Sequence, residues 1–235
     1  MGSLLPGLAR TLPDLEARIV ECRRCPRLVA WRERVARERR AAFAGETYWG
    51  RPIPGFGDPA ARVYVLGLAP AAHGGNRTGR VFTGDRSGDF LIAAMHRAGL
   101  ANQPTSHTRD DGLELRHAWI GAAVRCAPPQ NRPTAEEQDA CRPWSRQELA
   151  LLPEVRVIVC LGRLAWDAAL ALRGGAVPRP RPRFGHGALL DDGAGLPLLG
   201  TFHPSQQNTF TGRLTPGMLD DVLLRARELA GLDQA

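Results

Sequence analysis

Four short apolar runs, each closed by a glycine or a turn and separated by longer amphipathic segments, constrain this chain more than any other feature. The runs are ARVYVLGLAP at 61–70, the stretch 118–125, VRVIVCLG at 155–162 and LPLLGTFHP at 196–204. Runs this short, dominated by Val, Ile and Leu and lacking polar alternation, suit strands buried on both faces, as parallel pairing demands. The segments between them have helical spacing. Ser87 to Gly99 reads as an amphipathic helix capped by Gly99, Thr134 starts a helix through 134–152, and 163–174 and 215–231 supply two more. Upstream, residues 12–22 and 26–44 read as two further helices. The expected fold is α/β: a three-layer αβα arrangement with a central, mostly parallel four-stranded sheet flanked by helices. In such sheets ligands bind beyond the carboxyl ends of the strands, which directs attention to the loops after runs one, two and four.

Length adds that residues 1–235 suffice for one domain, with an N-terminal helical segment attached to it. No apolar stretch approaches the roughly 20 residues needed to cross a bilayer. The opening MGSLLPGLAR has no charged region leading into a long apolar run, and Pro6 stands where a myristoylation signal wants Ser or Thr. A cytoplasmic location is expected. With 31 basic against 24 acidic residues the net charge is +7, and every basic residue is arginine. Guanidinium forks grip phosphates and stack on bases, so the expected partner is anionic, with nucleic acid foremost. A chain also rich in Ala, Gly and Pro owes part of that bias to codon composition. The Pro/Arg/Gly-biased stretch 173–187 reads as an exposed loop, either a solvated connection or a basic arm on a phosphate backbone.

Five cysteines without an export signal favour metal ligation over disulfides. Cys22 and Cys25 form a CxxC, Cys126 closes the second run, and Cys141 lies within the following helix. Four thiolates in two pairs suit zinc or a [4Fe–4S] cluster, and a ligand well along a helix fits the larger group better. Cys160, inside the third run, reads as a small buried hydrophobe.

The loop after the first run holds six glycines from Gly67 to Gly88. They permit close backbone approach to a phosphate or a base, yet match neither the GxGxxG nor the GxxxxGK[ST] pattern. Phe82, stranded among polar residues and glycines, suits a stacking platform. Of Asp85 and Asp89, one is expected to cap the next helix and leave the other for chemistry. After the second run Asn131 offers an amide that donates and accepts together, suited to a pyrimidine edge. After the fourth, His203 stands at a strand end, with Pro204 fixing the turn and Ser205 as helix cap or phosphate ligand.

Taken in order, GLAPAAHGGNRTGRVFTGDRSG, CAPPQNRPT, HPSQQN and the four cysteines resemble the uracil-DNA glycosylase superfamily, specifically its iron–sulfur-containing family 5, or type B, members. The resemblance implies an enzyme that flips uracil, and also hypoxanthine and xanthine, out of DNA and hydrolyses the N-glycosidic bond. It implies DNA containing uracil or other deaminated bases as partner, and a structural [4Fe–4S] cluster held by Cys22, Cys25, Cys126 and Cys141 in a monomeric protein. It assigns catalysis to Asp85, His203 and Asn131. Base contacts fall to Gly67, Leu68, Ala69, Phe82, Asn131 and Asn208, and phosphate contacts to Thr83, Ser87 and Ser205. Phe210 or Leu214 would wedge into the base stack, unless either is core. Ala69 and Pro70 stand where many relatives carry a polar water-positioning side chain, which leaves Asp89 and His73 as alternatives to Asp85 and predicts a tolerant pocket wall. A non-catalytic, metal-braced DNA-binding module accounts equally for the arginines and cysteines. It does not account for Phe82, Asn131 and His203 converging at strand ends.

Overall fold

A computed structural model describes residues 8–233, so the opening segment behind the expectation of no export or lipid signal lies outside the described residues. Two helices lead, α1 (Leu12–Val20), started by the Thr11 side chain, and α2 (Pro26–Glu38). The second is shorter than the 26–44 expected from the sequence. Arg39 takes a left-handed φ of 55°, which breaks the helix, and residues 41–43 form a separate 3₁₀ turn.

Then follow β1 (Phe56–Gly57), β2 (Val63–Gly67), the short α3 (Gly75–Thr78), α4 (Arg86–Arg97), β3 (Ala118–Ala122), α5 (Ala135–Ala150), β4 (Val157–Leu161) and α6 (Arg163–Ala169). The chain finishes with β5 (Leu189–Leu190), β6 (Leu198–Thr201), α7 (Gln206–Phe210) and α8 (Pro216–Leu229). The expected caps hold: Thr134 and Glu137 form a reciprocal capping box at the start of α5, and Gly99 adopts positive φ just past the end of α4.

The sheet runs in the order β1-β3-β2-β4-β6-β5. Its central strands β3, β2, β4 and β6 are parallel and buried throughout, as their apolar runs require. The expectation of four strands is corrected to six. The two additions are antiparallel edges of two residues each, pairing Phe56 with Ile120 and Leu189 with Leu199. Segments that short leave no periodicity, and only the neighbouring strand's register defines them. The stretch 173–187 is irregular, as expected, and leads into β5.

Helices cover both faces. Leu91 and Met95 of α4 and Leu219 and Leu223 of α8 pack on one face with Val65 and Val159. Trp166 of α6 packs on the other with Tyr64, Ile158 and Cys160, the last being the small core residue expected. A third cluster joins Leu15, Ile19 and Leu28 of the leading helices to Val124 and Trp144, and includes Cys126 and Cys141. No helix among the described residues is long and apolar enough to cross a membrane.

Candidate active site

From the central β2 the chain goes outward to β3 on one side and to β4 and β6 on the other, so the strand order reverses at the middle of the sheet. Loops leaving such a reversal diverge and open a crevice. A cavity of about 370 Å³ lies there, lined by Gly67 at the end of β2, Ala122 at the end of β3, Leu161 at the end of β4 and His203 beyond β6. Leu68, Ala69, Phe82, Asp85, Ser87, Asn131 and Ser205 complete the part of the wall foreseen from sequence.

Phe82 adopts φ 49°, an uncommon conformation for a residue with a side chain, and this turns its ring across the end of β2. The ring centroid is 6.0 Å from that of His203, at an angle of 37°. Gly67 makes room for it: a methyl group there would lie 2.9 Å from the Phe82 ring. Asp85 caps α4, its Oδ1 accepting from the Gly88 N–H at 3.0 Å. A methyl group on Gly74 would overlap its Oδ2, so the glycine loop closes directly on this carboxylate. Capping and site membership thus fall on one residue, whereas the sequence divided them between Asp85 and Asp89. Asp89 is exposed in the first turn of α4 and outside the cavity. Gln130 and Asn131 both have left-handed φ, 54° and 56°, in the turn that follows Pro129, and Asn131 stands exposed at the mouth.

Burial dominates the electrostatics. It holds the Asp85 carboxyl above its usual value, against the N–H groups of Gly88 and Ser87, which favour the charged form. It pushes the His203 imidazole down to about 4, so the ring is neutral at pH 7 and carries a single N–H. A neutral imidazole beside a buried carboxylate can donate to a developing oxyanion while the carboxylate orients water or balances positive charge.

Several expectations need correction. Thr83 cannot meet a phosphate, because it is fully buried and bonded to Arg80 and Ser106. Asn208 does not line the cavity; its amide donates to the His203 carbonyl at 2.9 Å and braces that loop. Leu214 is core, 1% exposed, whereas Phe210 is 68% exposed with the Arg86 guanidinium over its ring. His73 bonds Tyr48 at 3.0 Å and lines an adjoining groove that shares Asp85, Ser87, Asn131 and Ser205 with the cavity. The sequence reading missed Leu164, 45% exposed on the opposite wall, although an apolar side chain at the start of a helix facing a strand end was a usable signal.

On the far side of the β3 end, Cys22, Cys25, Cys126 and Cys141 line one small cavity with Arg24. Among the described residues no group of three or more His, Cys, Asp or Glu side chains forms a ready metal site. The setting nevertheless suits thiolates. Arg32 donates to the Cys126 sulfur at 3.3 Å, and the Arg125 backbone N–H donates to the Cys141 sulfur at 3.3 Å. Burial pushes the Cys126 thiol up to about 11 and Cys141 up to about 12, so neither ionises at neutral pH unless a cation joins it.

Comparison with known proteins bears directly on this geometry. Residues 54–227 match the family described as "Uracil DNA glycosylase superfamily". The chain belongs to that superfamily. It is similar to proteins named type-5 uracil-DNA glycosylase from Mycobacterium tuberculosis (strain CDC 1551 / Oshkosh), 56% identical over 97% of this chain and 85% of the relative, and from Mycobacterium leprae, 56% identical over 97% of this chain and 100% of the relative. A protein of the same name from Thermus thermophilus is 56% identical over 91% of this chain and 96% of its own length. For a superfamily member, the alignment of Phe82, Asn131, Asp85 and His203 around one cavity gives four candidate roles on three strand ends and one helix cap.

Proposed function

We propose that the protein is a DNA glycosylase that hydrolyses the N-glycosidic bond of uracil in DNA and leaves an abasic site. One observation carries this reading: Phe82, Asp85, Asn131 and His203, separated by up to 121 positions (203 − 82), line a single cavity at the switch point of the sheet. A base within a duplex is unreachable, so the nucleotide is everted, at a cost of about a few kcal/mol that is least for mispaired bases. The excess of arginine supplies the compensating phosphate attraction, with Ser87 and Ser205 at the cavity as nearer phosphate ligands. Phe82 stacks on the everted base and Asn131 holds its hydrogen-bonding edge, while the backbone of Gly67, Leu68 and Ala69 forms the floor.

As the bond breaks, negative charge grows on the base oxygen and positive charge on the sugar. His203, neutral and fixed by the Asn208 brace, donates its N–H to the base oxygen. Asp85, held by the Gly88 N–H, orients the attacking water and balances the sugar's charge. The wall at Ala69, Pro70 and Ala71 presents no polar side chain, and the 370 Å³ volume exceeds what a pyrimidine needs. On that ground the substrate range extends to hypoxanthine and xanthine. Phe210 is the residue that enters the gap in the base stack.

The reading takes residues 1–235 as one monomeric unit, with α1 and α2 carrying half of a four-cysteine cluster site. Cys22, Cys25, Cys126 and Cys141 would hold a [4Fe–4S] cluster. Bound there, it supplies a cross-link between the leading helices and the β3–α5 region and takes no part in bond cleavage.

The test is incubation with oligonucleotides containing uracil, hypoxanthine or xanthine, followed by alkali. Strand breakage at each is expected. Breakage at uracil alone would remove the extension to purines, and tight binding with no breakage at any base would favour a non-catalytic module.

A further inference from the structure

Around the cysteine site, positive charge is buried with too few partners. Arg32 is 2% exposed. Its guanidinium reaches the Cys126 sulfur and the Cys22 carbonyl, each at 3.3 Å, but its Nε has no partner. The nearest carboxylate, Glu33, is 3.9 Å away, a third exposed, and engaged by Arg23 at 2.5 Å. Arg24, within the CxxC segment itself, has Nε and one terminal nitrogen buried without a partner, and it lines the same small cavity as the four sulfurs. Burying a guanidinium without a full set of acceptors is expensive, so native proteins rarely do so unless a counter-charge is present. Ordinary thiols provide none.

We propose that Arg24 and Arg32 are the counter-ions of the four-cysteine site, and that they set how firmly it retains a cluster and at what potential the cluster accepts an electron. Four thiolates around a core of charge 2+ leave two negative charges, and the two guanidiniums neutralise them. The vacant donors on Arg32 and Arg24 then find sulfur acceptors, and the buried site becomes neutral overall. The helix geometry favours this division of labour. Arg32 stands seven positions after Cys25 (32 − 25), two turns along α2, so it returns to the face of α2 that carries Leu28 and Val29 toward the cysteines. Its backbone carbonyl is held in turn by the fully buried Asn76 amide at 3.2 Å. The pair acts on the site through charge and hydrogen bonding without ligating it.

This inference rests on the reading that the cysteines hold an iron–sulfur cluster, and the experiment separates the two. The full-length protein and its Arg32→Met, Arg24→Met and Arg32→Lys variants are purified without oxygen, with Arg225→Met as an exposed control of equal charge change. Iron and acid-labile sulfide per chain, the rate of bleaching by a chelator, and the one-electron midpoint potential are then measured. The Met variants are expected to bleach several-fold faster and to show more negative potentials, since removing a positive charge disfavours adding an electron. Arg32→Lys and Arg225→Met are expected to stay near the parent. Parent-like bleaching and potential in both Met variants would overturn the counter-ion role. A colourless parent without iron or sulfide would overturn the cluster reading, and this inference with it. If Arg32→Met does not fold, the half-buried Arg24→Met and the charge-preserving Arg32→Lys still decide the matter.

Discussion

Two neighbouring sites beyond the carboxyl end of β3 solve opposite problems. At the base cavity the chain gathers a few polar groups on apolar walls and leaves them poised. Asp85 has one oxygen committed to the helix cap, and His203 is kept neutral by burial alone. At the cysteine site, polar groups are abundant and interlocked. Arg125 and Glu148 form a fully buried ion pair, and the Tyr64 hydroxyl donates to Glu148 at 2.5 Å. The Arg125 backbone reaches the Cys141 sulfur, while Nε of Arg32 and two nitrogens of Arg24 are buried without a partner. One region thus satisfies its own polar groups and leaves them open to a ligand, whereas the other buries guanidinium nitrogens that no protein acceptor meets.

The sharpest way to break this contrast is Asp85→Asn. Uracil excision under single-turnover conditions is expected to fall about 10²–10⁴-fold, the usual contribution of a positioned base. The melting temperature should not fall at pH 7. Burial raises the Asp85 pKa in the folded state, so the ionised group opposes folding above that pKa, and a neutral isostere relieves the cost. A destabilised Asp85→Asn protein would mean that the carboxylate serves the fold first.

Glu148→Gln tests the other site. Breaking a fully buried pair leaves Arg125 uncompensated and is expected to lower stability by about 3–5 kcal/mol in chemical denaturation. Any remaining folded protein should excise at close to the parent rate per cavity. Gly74→Ala comes next: the added methyl displaces Asp85 while leaving every polar group present, and a shift of about 1 Å is expected to slow cleavage roughly 10²-fold with DNA affinity retained.

The smallest effect is in pH dependence. Between neutrality and about pH 4 the folded His203 stays uncharged, so protonation of its imidazole does not limit excision in that window. His203 acts on stability with the opposite sign from Asp85. The unfolded imidazole takes up a proton below 6.5 while the folded one does not until about 4, so stability drains away as pH falls through that interval. His203→Gln should flatten this slope, shifting the melting temperature at pH 5 relative to pH 7 by about 2–4 °C less than in the parent.

Much of the site was legible in sequence because its parts are local. A glycine-rich loop that ends in a helix cap, a turn built on prolines beside Asn131, and a histidine fixed by Pro204 each declare themselves within a few residues. The errors share one cause. Thr83 looks like a loop hydroxyl but folds inward onto Arg80 and Ser106, the latter 23 positions away (106 − 83). Asn208 looks like a substrate amide, yet the nearest acceptor in space is the His203 carbonyl. Leu214 sits in a polar stretch, and its burial depends on α8 folding back over the sheet. Which acceptors and neighbours the fold brings near, whether 5 positions away as for Asn208 or 23 as for Thr83, decides these side chains, and local pattern cannot rank them.

By itself, then, the order of residues determined the layers, the parallel core and the helix caps, because strand and helix periods are properties of consecutive side chains. It also determined which chemistries were available. Tertiary structure alone decided that Asp85 is both cap and cavity wall, and that a sealed Arg32 and a half-buried Arg24 lie beside four sulfurs. Those outcomes depend on desolvation and on distances between segments 30 to 120 positions apart, for example Arg32 and Cys126, 94 positions apart. Burial is a property of the folded ensemble of neighbours, and no stretch of sequence carries it alone.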